Sequence, residues 1–301
     1  MPRAEGPQPD LFDVGTRSKS ARVASFNRAR AIWTENKAKL IESYLYKFLM
    51  VTKHGTYIDG FAGPQEGKED ATNWAARLVL QIEPRWLRHF VLIEQDPQRV
   101  EYIRHMVRSL KPTPLRQKHR DIKIIEGDVN FELPKRLADY PIKSTEATFC
   151  LLDQWTCECH WKTVETIARH KKGKRKIELF YFLANSWLSR TLANTTKNTE
   201  RLDLWWGNDG WKKLIKMGSY DRAHLVTDRL KAEFGYRFVT PHAIYNRVGG
   251  KRIMYFMIHA ADHPAAPILM ADAYSKAVEP LPDQGDLQLM IEALPAKART
   301  W

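Results

Sequence analysis

The stretch Tyr57-Ile58-Asp59-Gly60-Phe61-Ala62-Gly63-Pro64 decides the fold. It starts as a short apolar run suited to a strand and then leaves through an acid and two glycines. Glycine carries no Cβ, so a chain passing through Gly60 and Gly63 can turn tightly and bring its backbone against a ligand. In an open α/β sheet, ligands gather at the C-terminal ends of parallel strands, where this turn would lie. The same residues also fit a turn that serves packing alone.

Further short apolar runs flank this one: Phe90 to Ile93, Ile122 to Ile125, Thr148 to Leu152 and Ile177 to Leu183. Strands buried on both faces read as continuous apolar runs, and amphipathic stretches long enough for crossover helices separate them, which predicts a parallel sheet. Ahead of them, Ile32, Leu40, Ile41, Tyr44, Leu45, Phe48 and Leu49 recur at three- and four-residue spacing and predict an N-terminal helical region from Ser25 to Val51, with Thr34 as a candidate N-cap. Near the other end, Ala243 to Val248 and Lys251 to Ile258 flank Gly249-Gly250, which reads as an antiparallel hairpin. The expected class is a Rossmann-type, doubly wound α/β sheet of about seven strands, mostly parallel, with a helical insertion over about 187–235 after strand five. A parallel sheet closed by an antiparallel hairpin resembles class I S-adenosylmethionine-dependent methyltransferases.

Residues 1–24 are rich in proline, glycine, serine and charge, and are expected to form a disordered arm before a domain over 25–275; residues 276–301 read as a tail holding one short apolar stretch, Leu287 to Leu294. Three cysteines, Cys150, Cys157 and Cys159, are too few for a disulfide framework and point to a reducing, cytoplasmic setting. No apolar run reaches the length that spans a bilayer, so a soluble protein without a membrane partner is expected. The 48 lysines and arginines against 35 acids give +13 and favour a nucleic-acid partner, because such a field concentrates polyanions at the surface.

At the second strand's end, Glu94 stands about 35 residues after the first turn, the place from which an acid accepts both ribose hydroxyls of a bound nucleoside. At the third, Glu126-Gly127-Asp128-Val129 offers Asp128 to an adenine amino group and Val129 to cover the ring; Asp128 equally suits a helix N-cap. The expected cofactor site therefore comprises Asp59, Gly60, Phe61, Ala62, Gly63, Glu94, Asp128 and Val129. The turn lacks the G-x-G-x-x-G pattern of a dinucleotide site, and no phosphate-binding loop follows, which favours S-adenosylmethionine over NAD.

Strand four ends Leu151-Leu152-Asp153-Gln154-Trp155-Thr156 at the open edge of that site. Asp153 suits a hydrogen bond or proton from an acceptor amine or hydroxyl, and Trp155 suits stacking on a base; capping and core packing are the alternatives. Cys157-Glu158-Cys159-His160 lacks the second donor pair that a zinc site needs, so no metal is expected. After strand five, Arg190, Lys197, Arg201, Trp205, Trp206, Trp211, Lys212 and Lys213 interleave cations with indoles. Arg190, Arg201, Trp205, Trp206 and Lys212 are the candidate substrate contacts, and the indoles equally suit anchors of a helical cover. The denser runs, Arg169 to Lys176 and Arg104 to Arg120, lead into strands and are expected at the opposite end of the sheet.

The turn at 57–64, the run Ile93-Glu94-Gln95-Asp96, the lead-in ending at Lys53, and Phe182-Leu183-Ala184-Asn185 with Arg190 resemble the three-Cys-motif partner protein family of bacteria and mobile elements. The resemblance covers about residues 30–270. It implies a methyltransferase-like subunit acting beside a separate three-cysteine radical-type protein, with nucleic acid as the shared substrate; a non-catalytic Rossmann subunit used for assembly is the competing expectation. Gln65 stands where the family commonly has Gly, and Gln154 where it commonly has Pro, departures that bear on turnover. Gln8-Pro9-Asp10-Leu11-Phe12 resembles a pentapeptide that docks on the replication sliding clamp.

Overall fold

The computed structural model describes residues 37–276 except 66, 70, 72, 111–119, 174, 195–198 and 246–251. The expected arm at 1–24, the clamp-like pentapeptide at 8–12, Thr34, Lys197, the Gly249-Gly250 turn and the tail after 276 lie outside the described residues.

Seven strands form one sheet in the order β3-β2-β1-β4-β5-β7-β6. The strands are β1 (Gly55–Asp59), β2 (Leu87–Glu94), β3 (Asp121–Glu126), β4 (Thr148–Leu152), β5 (Glu178–Leu183), β6 (Phe238–Tyr245) and β7 (Ile253–Ala261). β1 to β5 pair in parallel, whereas β7 runs antiparallel to both β5 and β6. This is the mostly parallel, doubly wound sheet with an antiparallel end that the apolar runs and the hairpin predict.

Alternate side chains along each strand serve opposite faces. Tyr57, Phe90, Phe149 and Phe180 enter one core with Tyr44 and Phe48, from a helix over residues 37–52 here called α1. Ile58, Val91, Cys150 and Tyr181 enter the other. That second face carries α4 (Val129–Asp139), α5 (Trp161–Arg169), α6 (Asn185–Ala193), α7 (Thr199–Trp206), a 3-10 helix (Asp209–Lys216) and α8 (Ser219–Phe234). The first face carries α1, α2 (Ala75–Gln81), α3 (Pro97–Ser109) and α9 (Ala266–Lys276).

One strand boundary corrects the sequence expectation. β6 begins at Phe238, five residues before Ala243, and its register with β7 runs from Phe238 opposite Ala261 to Tyr245 opposite Ile253. Pro241 hides this strand from pattern reading, because proline cannot donate to a ladder and argues against a central strand. It is tolerated because β6 is the last strand in the order, with a partner on one side.

Candidate functional site

The chain runs outward through β1, β2 and β3, and β4 then returns to the other side of β1. Crossovers diverge at that reversal, leaving a crevice beyond the carboxyl ends of the strands. A cavity of about 530 Å³ occupies it, lined among others by Gly60, Phe61, Gly63, Glu94, Asp128, Val129, Asp153 and Trp155. The ends of four strands thus bring together most residues expected there from sequence.

The turn after β1 is held from several sides. Asp59 accepts from Tyr57 Oη at 2.8 Å and from the Phe61 N–H at 3.1 Å. Trp74 Nε1 donates to the Ala62 carbonyl at 2.6 Å. A Cβ on Gly63 would stand 2.3 Å from Glu94 Oε2, and one on Gly60 would stand 2.9 Å from both Leu152 and Val129. Both glycines are needed for close packing of the turn, which carries its backbone to the cavity wall.

Glu94 is buried and works as a brace. Oε2 accepts from the Gly63 N–H at 2.8 Å and Oε1 from the Asp96 N–H at 3.0 Å. Each oxygen keeps a lone pair for a ligand hydroxyl. Asp128 is the N-cap of α4, accepting from the Asn130 N–H at 2.8 Å, and it also lines the cavity.

Two expected cofactor residues do not line this cavity. Asp59 is 1% exposed beneath the turn, and Ala62 is 1% exposed behind it. Burial pushes the Asp59 carboxyl up to about 7, against the lowering effect of its bonds from Tyr57 and Phe61. Asp59 therefore supports the turn from below rather than facing a ligand across open space.

The loop after β4 is a second built feature. Gln154, fully buried, donates to the Phe182 carbonyl at 3.0 Å and accepts from the Glu158 and Cys159 N–H groups, both at 3.0 Å. Glu158 in turn accepts from the N–H groups of Trp155 and Thr156. Gln154 thus closes the loop on itself and ties it to β5. Gln65 donates to Asp153 Oδ2 at 2.7 Å.

The substrate candidates separate. Trp205 and Trp206 are 1% and 2% exposed, and Trp205 Nε1 donates to Tyr181 Oη at 2.5 Å. Trp206 packs against Trp161, with the Arg229 guanidinium 4.2 Å from its ring. Neither offers a face to a base, and the expectation of stacking on them is corrected: they anchor the helical cover to the core. Arg201 reaches the cavity wall but is engaged there, donating to Thr156 Oγ1 and to the Cys157 carbonyl and lying 3.5 Å from Glu158. Arg190 and Lys212 are exposed away from the cavity lining, and Lys212 pairs with Asp209 at 2.8 Å. The three cysteines are buried with their thiols pushed well up by desolvation, so none is poised as a thiolate.

Pattern reading gave no site role to Lys37, Asn130 and Glu158, and marked Gln65 only as a departure from a resemblance. Asn130 accepts from the His160 N–H and Thr163 Oγ1 and donates to the Glu158 carbonyl, joining the strand-three and strand-four loops. No spacing rule marks such a residue, because its partners lie about 30 positions away.

The cavity wall is acidic: Glu94, Asp96, Asp128, Asp153 and Glu158 face it, against Arg99 and Arg201. Such a surface favours a cationic ligand and repels a pyrophosphate. Among the described residues, no helix is long and apolar enough to cross a membrane. No known family pattern matches the chain, and no curated protein matches it by sequence. Among solved structures, it is similar to M. jannaschii TYW2 in complex with AdoMet, at 13% identity over 74% of this chain and 75% of that one, with a TM-score of 0.36. It is also similar to the plantazolicin methyltransferase BamL in complex with a triazolic desmethylPZN analog and SAH, at 12% identity over 89% and 86% of the two chains, with a TM-score of 0.38.

Proposed function

We propose that this protein binds S-adenosylmethionine in the crevice beyond β1 to β4 and acts as a methyltransferase on nucleic acid. The carrying observation is the acidic cavity at the sheet's reversal point, with a glycine turn packed on Glu94 on one side and Asp128 on another. S-adenosylmethionine has a nucleoside to place and a net positive charge, and needs no phosphate cradle. Glu94 would take the ribose hydroxyls, Asp128 and Val129 the adenine, and the backbone of Gly60 to Gly63 the remainder. When bound, the cofactor supplies an electrophilic methyl group; Asp153 and Trp155 border the edge from which an acceptor approaches.

The net charge of +13 supports a nucleic-acid substrate, with Arg190 and Lys212 as exposed cations on the helical cover. The resemblance to three-Cys-motif partner proteins supports action beside a three-cysteine protein.

Calorimetry with S-adenosylmethionine and S-adenosylhomocysteine tests the cofactor step. Binding by the wild type, weakened about tenfold in Glu94→Gln, is expected, a loss of about 1.4 kcal/mol. Absence of binding to the wild type would overturn the reading. Labelled-methyl transfer to DNA and RNA, with and without a three-cysteine protein, tests the substrate.

A further inference from the structure

Three segments far apart in sequence meet at the end of β4. Lys37 Nζ, from α1, lies 2.5 Å from Asp153 Oδ1 and 3.1 Å from Gln65 Oε1. Gln65, from the turn after β1, donates to Asp153 Oδ2 at 2.7 Å. Lys37 is 2% exposed and Asp153 6%. The rings of Phe182 and Tyr255 stand 4.8 and 5.3 Å from the same ammonium.

A buried ion pair is a poor way to gain stability, because desolvating two charges offsets most of their attraction. Asp153 borders the cavity, and Lys37 stands behind it, outside the cavity lining. The groups facing Asp153 include Lys37 from α1, Gln65 from the turn, Tyr57 and Asp59 from β1 and Glu158 from its own loop. Asp59 and Glu158 repel a second negative charge, and Lys37 favours it. Lys37 and Gln65 each occupy one oxygen of Asp153, which leaves one lone pair on each for the cavity.

Resting on the cofactor reading above, we infer that Lys37 is a positioning residue that holds Asp153 as an aimed carboxylate, and that the edge it forms takes a nitrogen acceptor, an amino group donating N–H to Asp153. Burial raises the Asp153 carboxyl above the usual carboxylate range, and Lys37 beside it opposes that rise and keeps the negative charge in place. That fixed negative charge is well matched to an amino group, which attacks through its lone pair and gains positive charge as it does. The nitrogen pair forms the N–C bond, the C–S pair stays on sulfur, and the product releases one proton to water. Carboxylate and phosphate acceptors are repelled by the acidic wall.

The test compares the affinities of the cationic S-adenosylmethionine and the uncharged-sulfur S-adenosylhomocysteine over the pH range in which the protein stays folded, because burial raises a carboxyl that has lost its cation. In the wild type the preference for the cation changes with pH only through Asp59, which titrates near 7. In Lys37→Met it falls about tenfold at the acid end, where Asp153 takes up a proton, and recovers as pH rises. Lys37→Arg behaves as the wild type. Asp153→Asn has the low preference throughout, and Lys37→Met with Asp153→Asn matches it, which separates loss of charge from loss of fold. A Lys37→Met profile that matches the wild type at every pH would overturn the role of Lys37, whereas failure of both ligands to bind the wild type overturns the cofactor reading and this inference with it. Mass analysis of labelled nucleosides reads the acceptor: label on nitrogen supports the assignment, and label on a ribose oxygen sinks it.

Discussion

Gly63 and Glu94 are one unit although 31 positions separate them. A methyl group at 63 would have to displace Glu94 Oε2 and the Arg99 stem together. Gly63→Ala is expected to destabilise the protein by about 1–3 kcal/mol, as overpacking does, and to reduce S-adenosylmethionine affinity at least as much as Glu94→Gln. Thermal denaturation and calorimetry on one preparation check both effects. Asp59 gives a second residue-scale expectation. Its folded value near 7 lies above the ordinary 3.8, so the folded state holds a proton that the unfolded chain releases between those values. Stability from this group is greatest below about pH 4 and declines as pH rises to about 7, by up to about 4 kcal/mol. Asp59→Asn should flatten that slope and stabilise the protein at neutral pH. Denaturant midpoints at several pH values give the answer, and an unchanged slope would remove the argument.

At the scale of elements, the loop between β4 and α5 matters most, since it forms the edge proposed for the acceptor and has no regular ladder of its own. Gln154 supplies what a ladder would, satisfying two N–H groups and one carbonyl from the interior. Gln154→Leu leaves these buried groups without a partner and should cost about 2–4 kcal/mol. It should also raise amide exchange at Glu158 and Cys159 while leaving β1 and β2 protected. Exchange rates read by mass spectrometry distinguish this local release from general unfolding. The cover formed by α6 to α8 is secured in the same way, by buried indoles whose N–H groups find partners: Trp205 on Tyr181, and Trp211 on Asp203.

Over the whole molecule, charge is divided. The cavity wall is acidic while the chain carries +13, so the basic surface lies elsewhere. Lys171 donates to the Glu146 carbonyl and Lys176 pairs with Asp262, so part of the dense basic run before β5 is spent on the fold at the end of the sheet away from the cavity. Arg190 and Lys212, on the cover, remain the better candidates for phosphates. Replacing both with alanine should lower the salt slope of single-strand binding by about 0.7 for each phosphate no longer neutralised. Replacing the exposed Arg108 and Lys172 at the far end should change it less. Titration of short single strands at two salt concentrations compares the pairs, and a larger drop from the second pair would move the binding face.

The sequence alone determined the sheet class, because strands covered on both faces must be continuously apolar and their spacing must leave room for crossovers. It also marked Gly60, Gly63, Glu94, Asp128 and Asp153, since the ends of parallel strands are where function collects and those ends can be read from local pattern. Tertiary structure alone decided what each residue faces. Asp59 turned inward under its own turn, Trp205 and Trp206 became core, and β6 extended through Pro241 because it lies at the sheet's edge. The meeting of Lys37, Gln65 and Asp153 belongs to the same class. Its members are 28 and 116 positions apart, and their proximity is set by how α1 packs across the sheet, which no local pattern records.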